Sequence, residues 1–192
     1  MYSDEIYDRL AYGSYRHRAF SALPGMRDRT VLMGGFSKAY AMTGWRVGWL
    51  AAPADILEGI VKVHQYGIMS AGTVAQDAAL VALTDGEPDV ERMRAEYDRR
   101  RRLVVDRFNA LGLETFEPRG AFYAFPRITT TGLTDDEFTE RLLREERVAV
   151  VPGSAFGPSG AGHVRACYAT NYEDLEEALR RIGRFVERVR PA

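Results

Sequence analysis

Apolar positions in the first part of the chain fall into short runs closed by glycine or proline. Thr30 to Gly35 (TVLMGG) reads as a short buried strand, and Val47 to Ala52 (VGWLAA), closed by Pro53, reads as another. Pro53-Ala54-Asp55 predicts a helix start, because proline is tolerated in a first turn, where its missing N–H has no helical partner to lose. Ile56, Leu57, Ile60, Val63 and His64 follow at helical spacing, up to Tyr66. Thr73 to Leu83 (TVAQDAALVAL) is apolar on most faces, which predicts a buried helix.

Asp85-Gly86-Glu87-Pro88 is the clearest boundary along the chain. A long amphipathic helix follows, Val90 to Leu111, ended by Gly112. Leu113 to Phe116 and Ala121 to Phe125 read as strands around a turn at Pro118-Arg119-Gly120. Thr134 to Arg144 is a helix with a Thr/Asp start. Val148 to Val151 and His163 to Tyr168 are strands separated by the glycine-rich segment Gly153 to Gly162, and Asn171 to Val189 is a closing helix. The first part alternates strand and helix, as in a parallel α/β sheet; the second has helices covering a smaller sheet. Asp4-Glu5-Ile6-Tyr7 opens the chain with no α/β unit before it. A doubly wound sheet needs more strands than the first 85 residues supply, so a missing N-terminal half, or a partner chain that provides it, is expected.

Composition narrows the function classes. Hydrophobic residues make up 46% and charged residues 28% of the 192, as in ordinary globular proteins. The formal net charge of −1 lacks the basic excess of a nucleic-acid binder. The run Arg99-Arg100-Arg101-Arg102 has Glu91, Glu96, Asp98 and Asp106 beside it, so it reads as a solvated helix face or a subunit contact. No apolar run approaches a membrane span, and no secretory leader is visible. A single cysteine, Cys167, leaves a reducing, cytoplasmic setting as the expectation. The three histidines, His17, His64 and His163, are scattered and show no metal spacing.

The chemistry concentrates in Gly34-Gly35-Phe36-Ser37-Lys38-Ala39-Tyr40-Ala41-Met42-Thr43-Gly44-Trp45-Arg46-Val47-Gly48. A lysine just past a strand end can form an imine with an aldehyde, best where cationic and apolar neighbours depress its basicity. An arginine between glycines can grip a phosphate through paired donors, with the Ser37 hydroxyl adding another. Taken alone, Ser37-Lys38 would be an exposed loop and Arg46 a surface ion-pair partner. The full string SKAYAMTGWRVG is far more specific. It resembles the signature of the class I/II aminotransferases, fold-type-I enzymes that use pyridoxal 5′-phosphate (PLP).

The resemblance extends from Ser3 to about Val189 and implies the C-terminal half of that fold. Residues 1–86 would be the C-terminal portion of the PLP-binding large domain, with a mixed, mostly parallel sheet. Residues 87–192 would be a small α+β C-terminal domain. By the same resemblance, Lys38 carries PLP as a Schiff base and moves the substrate proton, Asp4 pairs with the ring nitrogen, and Tyr7 bonds the ring oxygen. Ser37 and Arg46 hold the phosphate. Gly162-His163-Val164-Arg165-Ala166-Cys167-Tyr168 is similar to the late strand whose arginine clamps the substrate carboxylate, here Arg165; a structural ion pair is its other reading. Phe122, after the turn at Arg119-Gly120, would line the pocket or serve as a core aromatic. The implied substrates are an L-amino acid and a 2-oxo acid, and the implied assembly is a homodimer of the full-length form. Family members are about twice as long, so this chain alone is expected to bind PLP poorly or not at all. A related lyase or synthase would carry the same motifs, and an inactive remnant acting as an interaction module is the alternative from another class.

Overall fold

The computed structural model describes residues 1–191. Its backbone forms two compact units, Met1–Ala95 and Glu96–Ala192.

The first unit is built on a three-stranded sheet of order β1-β2-β3, comprising β1 (Tyr2–Asp4), β2 (Val31–Gly35) and β3 (Gly48–Ala51). β1 and β2 are parallel, with Ser3 opposite Leu32 and Asp4 opposite Met33. A parallel pair requires a long return. Here that connection is made of turns, with short 3₁₀ segments at Phe20–Ala22 and Arg27–Arg29. β3 pairs antiparallel with β2, Gly34 facing Trp49 and Gly35 facing Gly48. The first of these glycines is dictated by its neighbour: a Cβ on Gly34 would stand 2.5 Å from the Trp49 ring.

Helix α1 (Ala54–Gly67) starts directly after Pro53, and α2 (Thr73–Asp85) follows Gly72. The sequence predicts a buried α2, yet only Ala75 and Ala79 are buried. Ala79 packs against Phe36 and Met42, while Val74, Leu80, Val81 and Leu83 face outward. The pattern marks residues able to be covered, and within this unit no element covers them.

Helix α3 (Glu87–Ala110) begins earlier than the pattern suggests, because Pro88 falls in its first turn, where proline fits. In the second unit the expected strand at Leu113 to Phe116 is absent, and β4 is only Tyr123–Ala124. β5 (Val151–Pro152) and β6 (Val164–Cys167) complete an antiparallel sheet of order β4-β6-β5. Helix α4 (Asp135–Glu146) opens on a full capping box between Thr134 and Glu137. Helix α5 (Tyr172–Val189) is capped by Asn171 and buries Leu175, Leu179, Ile182, Phe185 and Val186 along one stripe. Phe138 of α4 meets Phe185 edge-on at 5.2 Å. Between β5 and β6 the chain folds tightly on itself, and a Cβ on Gly153 would lie 2.0 Å from the Gly160 carbonyl oxygen.

The arginine run is held by carboxylates. Arg99 and Arg100 pair with Glu96, Arg102 pairs with Asp98, and buried Arg101 pairs with Asp98 and Glu117. Arg99 and Arg102 lie on the solvated helix face expected from the sequence, whereas Arg101 is buried.

Candidate active site

Because β1 and β2 run parallel, their C-terminal ends lie at one edge of the sheet. Open α/β sheets bind ligands outside that edge. Asp4 is the last residue of β1, and Ser37 and Lys38 come just past the end of β2. The exposed Asp4 carboxylate accepts the Ile6 backbone N–H at 3.2 Å, which starts the turn carrying Tyr7. Lys38 is half-buried, with its Nζ 6.0 Å from the centroid of the Tyr7 ring. Asp4, Tyr7 and Lys38 thus belong to one edge of one sheet.

The segment after Lys38 closes back on itself. The Thr43 hydroxyl donates to the Ser37 carbonyl at 2.9 Å, and Arg46 Nη1 donates to the Thr43 carbonyl at 2.9 Å. Thr43 therefore ties Arg46 back to Ser37. Ala41 and Arg46 both hold left-handed backbone, at φ +53° and +55°. Such conformations cost on the order of 1 kcal/mol or more in non-glycine residues and persist where the surroundings impose them. Arg46 is exposed, and among the described residues it forms no ion pair with a carboxylate.

One residue of this edge has no motif to mark it. Glu5 accepts the Phe20 backbone N–H at 2.8 Å and the Ser3 hydroxyl at 3.0 Å, and its other oxygen meets His17 Nε2 at 2.5 Å. Burial pushes its carboxyl pKa up, but the bonds from Phe20, His17 and Ser3 outweigh burial and hold it below the ordinary range. Glu5 thereby pins both ends of the loop that contains Tyr7. Nothing in the spacing of Glu5 and His17 foretells the pair; only the turn-rich return between the strands brings them together.

An apolar groove of about 490 Å³ lies along the sheet beside α1, lined by Met33, Trp49, Leu57 and Ile60 together with Asp4 and His64. Lys38 is not part of its lining.

In the second unit, Arg165 lies on β6 and is half-buried. Its guanidinium carbon is 4.5 Å from the Tyr123 ring centroid and 4.7 Å from that of Phe156. Among the described residues it pairs with no carboxylate, so the structural ion pair considered from sequence is not formed. Phe122 is buried, its ring 5.4 Å from Tyr97 and 5.0 Å from Tyr123. Among the described residues no cluster of His, Cys, Asp and Glu is suited to a metal ion, and no helix is long and apolar enough to cross a membrane.

Residues 1–182 match the family model described as aminotransferase class I and II. The chain is 51% identical over 186 residues to a putative aminotransferase, YugH, of Bacillus subtilis, covering 97% of this chain and 48% of that protein. It is 53% identical over 186 residues to an aspartate aminotransferase of Pyrococcus abyssi, again over 96% of this chain and 48% of the relative. Among solved structures, the crystal structure of an aromatic aminotransferase from Pyrococcus horikoshii superposes with a TM-score of 0.94 at 52% identity, over 97% of this chain and 50% of that one. The chain therefore spans about half the length of the relatives it matches.

Proposed function

The chain belongs to the class I and II aminotransferases, and from that premise we propose that the protein containing it transfers an amino group between an L-amino acid and a 2-oxo acid with the help of PLP, anchored at Lys38. The observation that carries this reading is the gathering of Asp4, Tyr7 and Lys38 at the C-terminal edge of a parallel strand pair.

The donor set fits the cofactor. A carboxylate, a phenol and an amine stand at one sheet edge, and a hydroxyl and a carboxylate-free arginine share the loop beyond it. When bound, PLP supplies an aldehyde that captures amines and a protonated ring that draws electrons from the carbon beside the captured nitrogen. Asp4 would accept the ring N–H, and Tyr7 would hydrogen-bond the ring oxygen. Ser37 and Arg46 would donate to the phosphate. Lys38 would hold the cofactor and, once substrate displaces it, take the proton from the substrate α-carbon through Nζ. Arg165 would orient the substrate by its carboxylate, and Phe122 would line the pocket from its place beside Tyr123.

In this reading residues 1–86 belong to the cofactor-binding domain and 87–192 to the small domain. The protein works as a homodimer in the cytoplasm. Two features support that assembly and setting. Apolar side chains on α1 and α2, among them Val63, Tyr66, Val74 and Leu80, are largely exposed, and an exposed apolar surface of this kind suits a contact with a second subunit. Cys167 is a free thiol, as a reducing compartment allows. The 192-residue chain by itself is expected to hold PLP weakly, since it spans about half of its relatives.

The test is chemical. The intact polypeptide carrying this chain is incubated with PLP, reduced with borohydride, digested and read by mass spectrometry, alongside a screen of L-amino acid donors with 2-oxoglutarate. Expected are a pyridoxyl adduct on the Lys38 peptide, its loss in Lys38→Ala, and amino transfer from at least one donor. Absence of the adduct from Lys38 refutes the reading.

A further inference from the structure

Arg165 sits between two aromatic rings and, among the described residues, pairs with no carboxylate. Along β6, Val164 and Ala166 are buried, so strand alternation turns Arg165 and Cys167 to the opposite face. The register sets Tyr123 against Cys167. Tyr123 and Arg165 are therefore diagonal neighbours on that face, within reach of long side chains. The second ring comes from Phe156, in the tight turn after β5.

That turn is fixed from below. Asp135 is buried at the start of α4. Its carboxylate accepts the Ser154 backbone N–H at 2.7 Å and lies 3.5 Å from the Gly162 nitrogen. The carboxylate thus ties down the start of the segment that carries Phe156 and lies near its end. Phe125 adds support, with its ring 6.2 Å from Phe156 in an edge-on contact and stacked on His163 at 5.2 Å.

Rings engage a guanidinium through its π-face and leave the N–H edge available. Elsewhere in the second unit, arginines such as Arg101, Arg184 and Arg188 spend that edge on carboxylates of the same chain. Arg165 instead meets two aromatic rings and, among the described residues, no carboxylate. Its rotamer is restrained while its fork keeps the geometry that a carboxylate accepts in bidentate fashion.

We propose that Tyr123 and Phe156 are positioning residues that pre-orient Arg165 for the substrate carboxylate, and that Asp135 is the anchor that keeps Phe156 in place. This rests on the aminotransferase reading for the identity of the ligand but not for the geometry. Truncating either ring frees the guanidinium and weakens carboxylate binding without touching the groups that hold the cofactor.

The experiment uses the intact polypeptide loaded with PLP and measures calorimetric affinity for glutarate and for 3-phenylpropanoate, which carry the carboxylate but no amine. Phe156→Ala and Tyr123→Ala are expected to weaken binding roughly 3- to 30-fold, the range of a lost cation–π contact. Phe156→Tyr and Tyr123→Phe, which keep a ring, are expected to restore it. Borohydride trapping at Lys38 and the thermal midpoint serve as controls for cofactor loading and folding. Equal affinity in wild type and in both alanine variants overturns the proposal, as does loss that the ring-retaining variants fail to restore. Ring-dependent carboxylate binding in a protein that transfers no amino group would uphold the clamp and reject the aminotransferase reading.

Discussion

Replacing Asp135 with alanine removes the acceptor on which the Gly153–Gly162 segment converges. The short bond to Ser154, at 2.7 Å, is charge-assisted, whereas Gly162 at 3.5 Å contributes little. A hydrogen bond to a charged group contributes about 1.5–3 kcal/mol. A carboxylate in the first turn of a helix adds about 0.3–1 kcal/mol through the helix dipole. Asp135→Ala should therefore destabilise the protein by about 2–4 kcal/mol, read as a lower urea midpoint with unchanged slope. The effect has a pH signature. Hydrogen bonds from Ser154, first its side chain and then its backbone, hold the Asp135 carboxyl below its ordinary range against the opposing pull of burial. A depressed carboxyl contributes stability above its unfolded pKa, about 3.9, and loses it as pH falls through the lower folded value. The gap between wild type and variant should be full at neutral pH and shrink below about pH 4. A gap under about 0.5 kcal/mol, the range of a featureless surface site, or one that stays constant into the acid range, would refute the assignment.

Gly153→Ala should cost about 3 kcal/mol or more, because its Cβ would stand 2.0 Å from a backbone oxygen that has no soft side chain to move; an equilibrium denaturation within 0.5 kcal/mol of wild type would contradict this. Glu5→Ala should loosen the loop between β1 and the Phe20 turn, seen as faster hydrogen exchange at the Phe20 amide, which has a 2.8 Å bond to that carboxylate. Unchanged exchange there would show that the loop is held by other contacts.

The sequence alone determined much of this protein. Short-range rules located β2, β3, α1, α4 and α5 to within a few residues, because glycines, caps and apolar spacing act locally. The string around Lys38 pointed to the family that the comparisons show, because that family's signature sets particular side chains at particular separations along one loop. Three things were settled only in three dimensions. The strand expected at Leu113 to Phe116 did not form, since a ladder needs a partner in register and none of the sheet's strands supplies one there. The apolar stretch of α2 stayed largely uncovered, since burial depends on what packs against a helix and not on its own composition. Finally, the contacts around the candidate site residues are ones that no local rule foretells. Glu5 meets His17 and Phe20 across the return between parallel strands. Arg165 meets Tyr123 through strand register and Phe156 through a turn anchored by Asp135. A motif names the atoms that react; sheet register and loop anchoring decide whether they are held where they can.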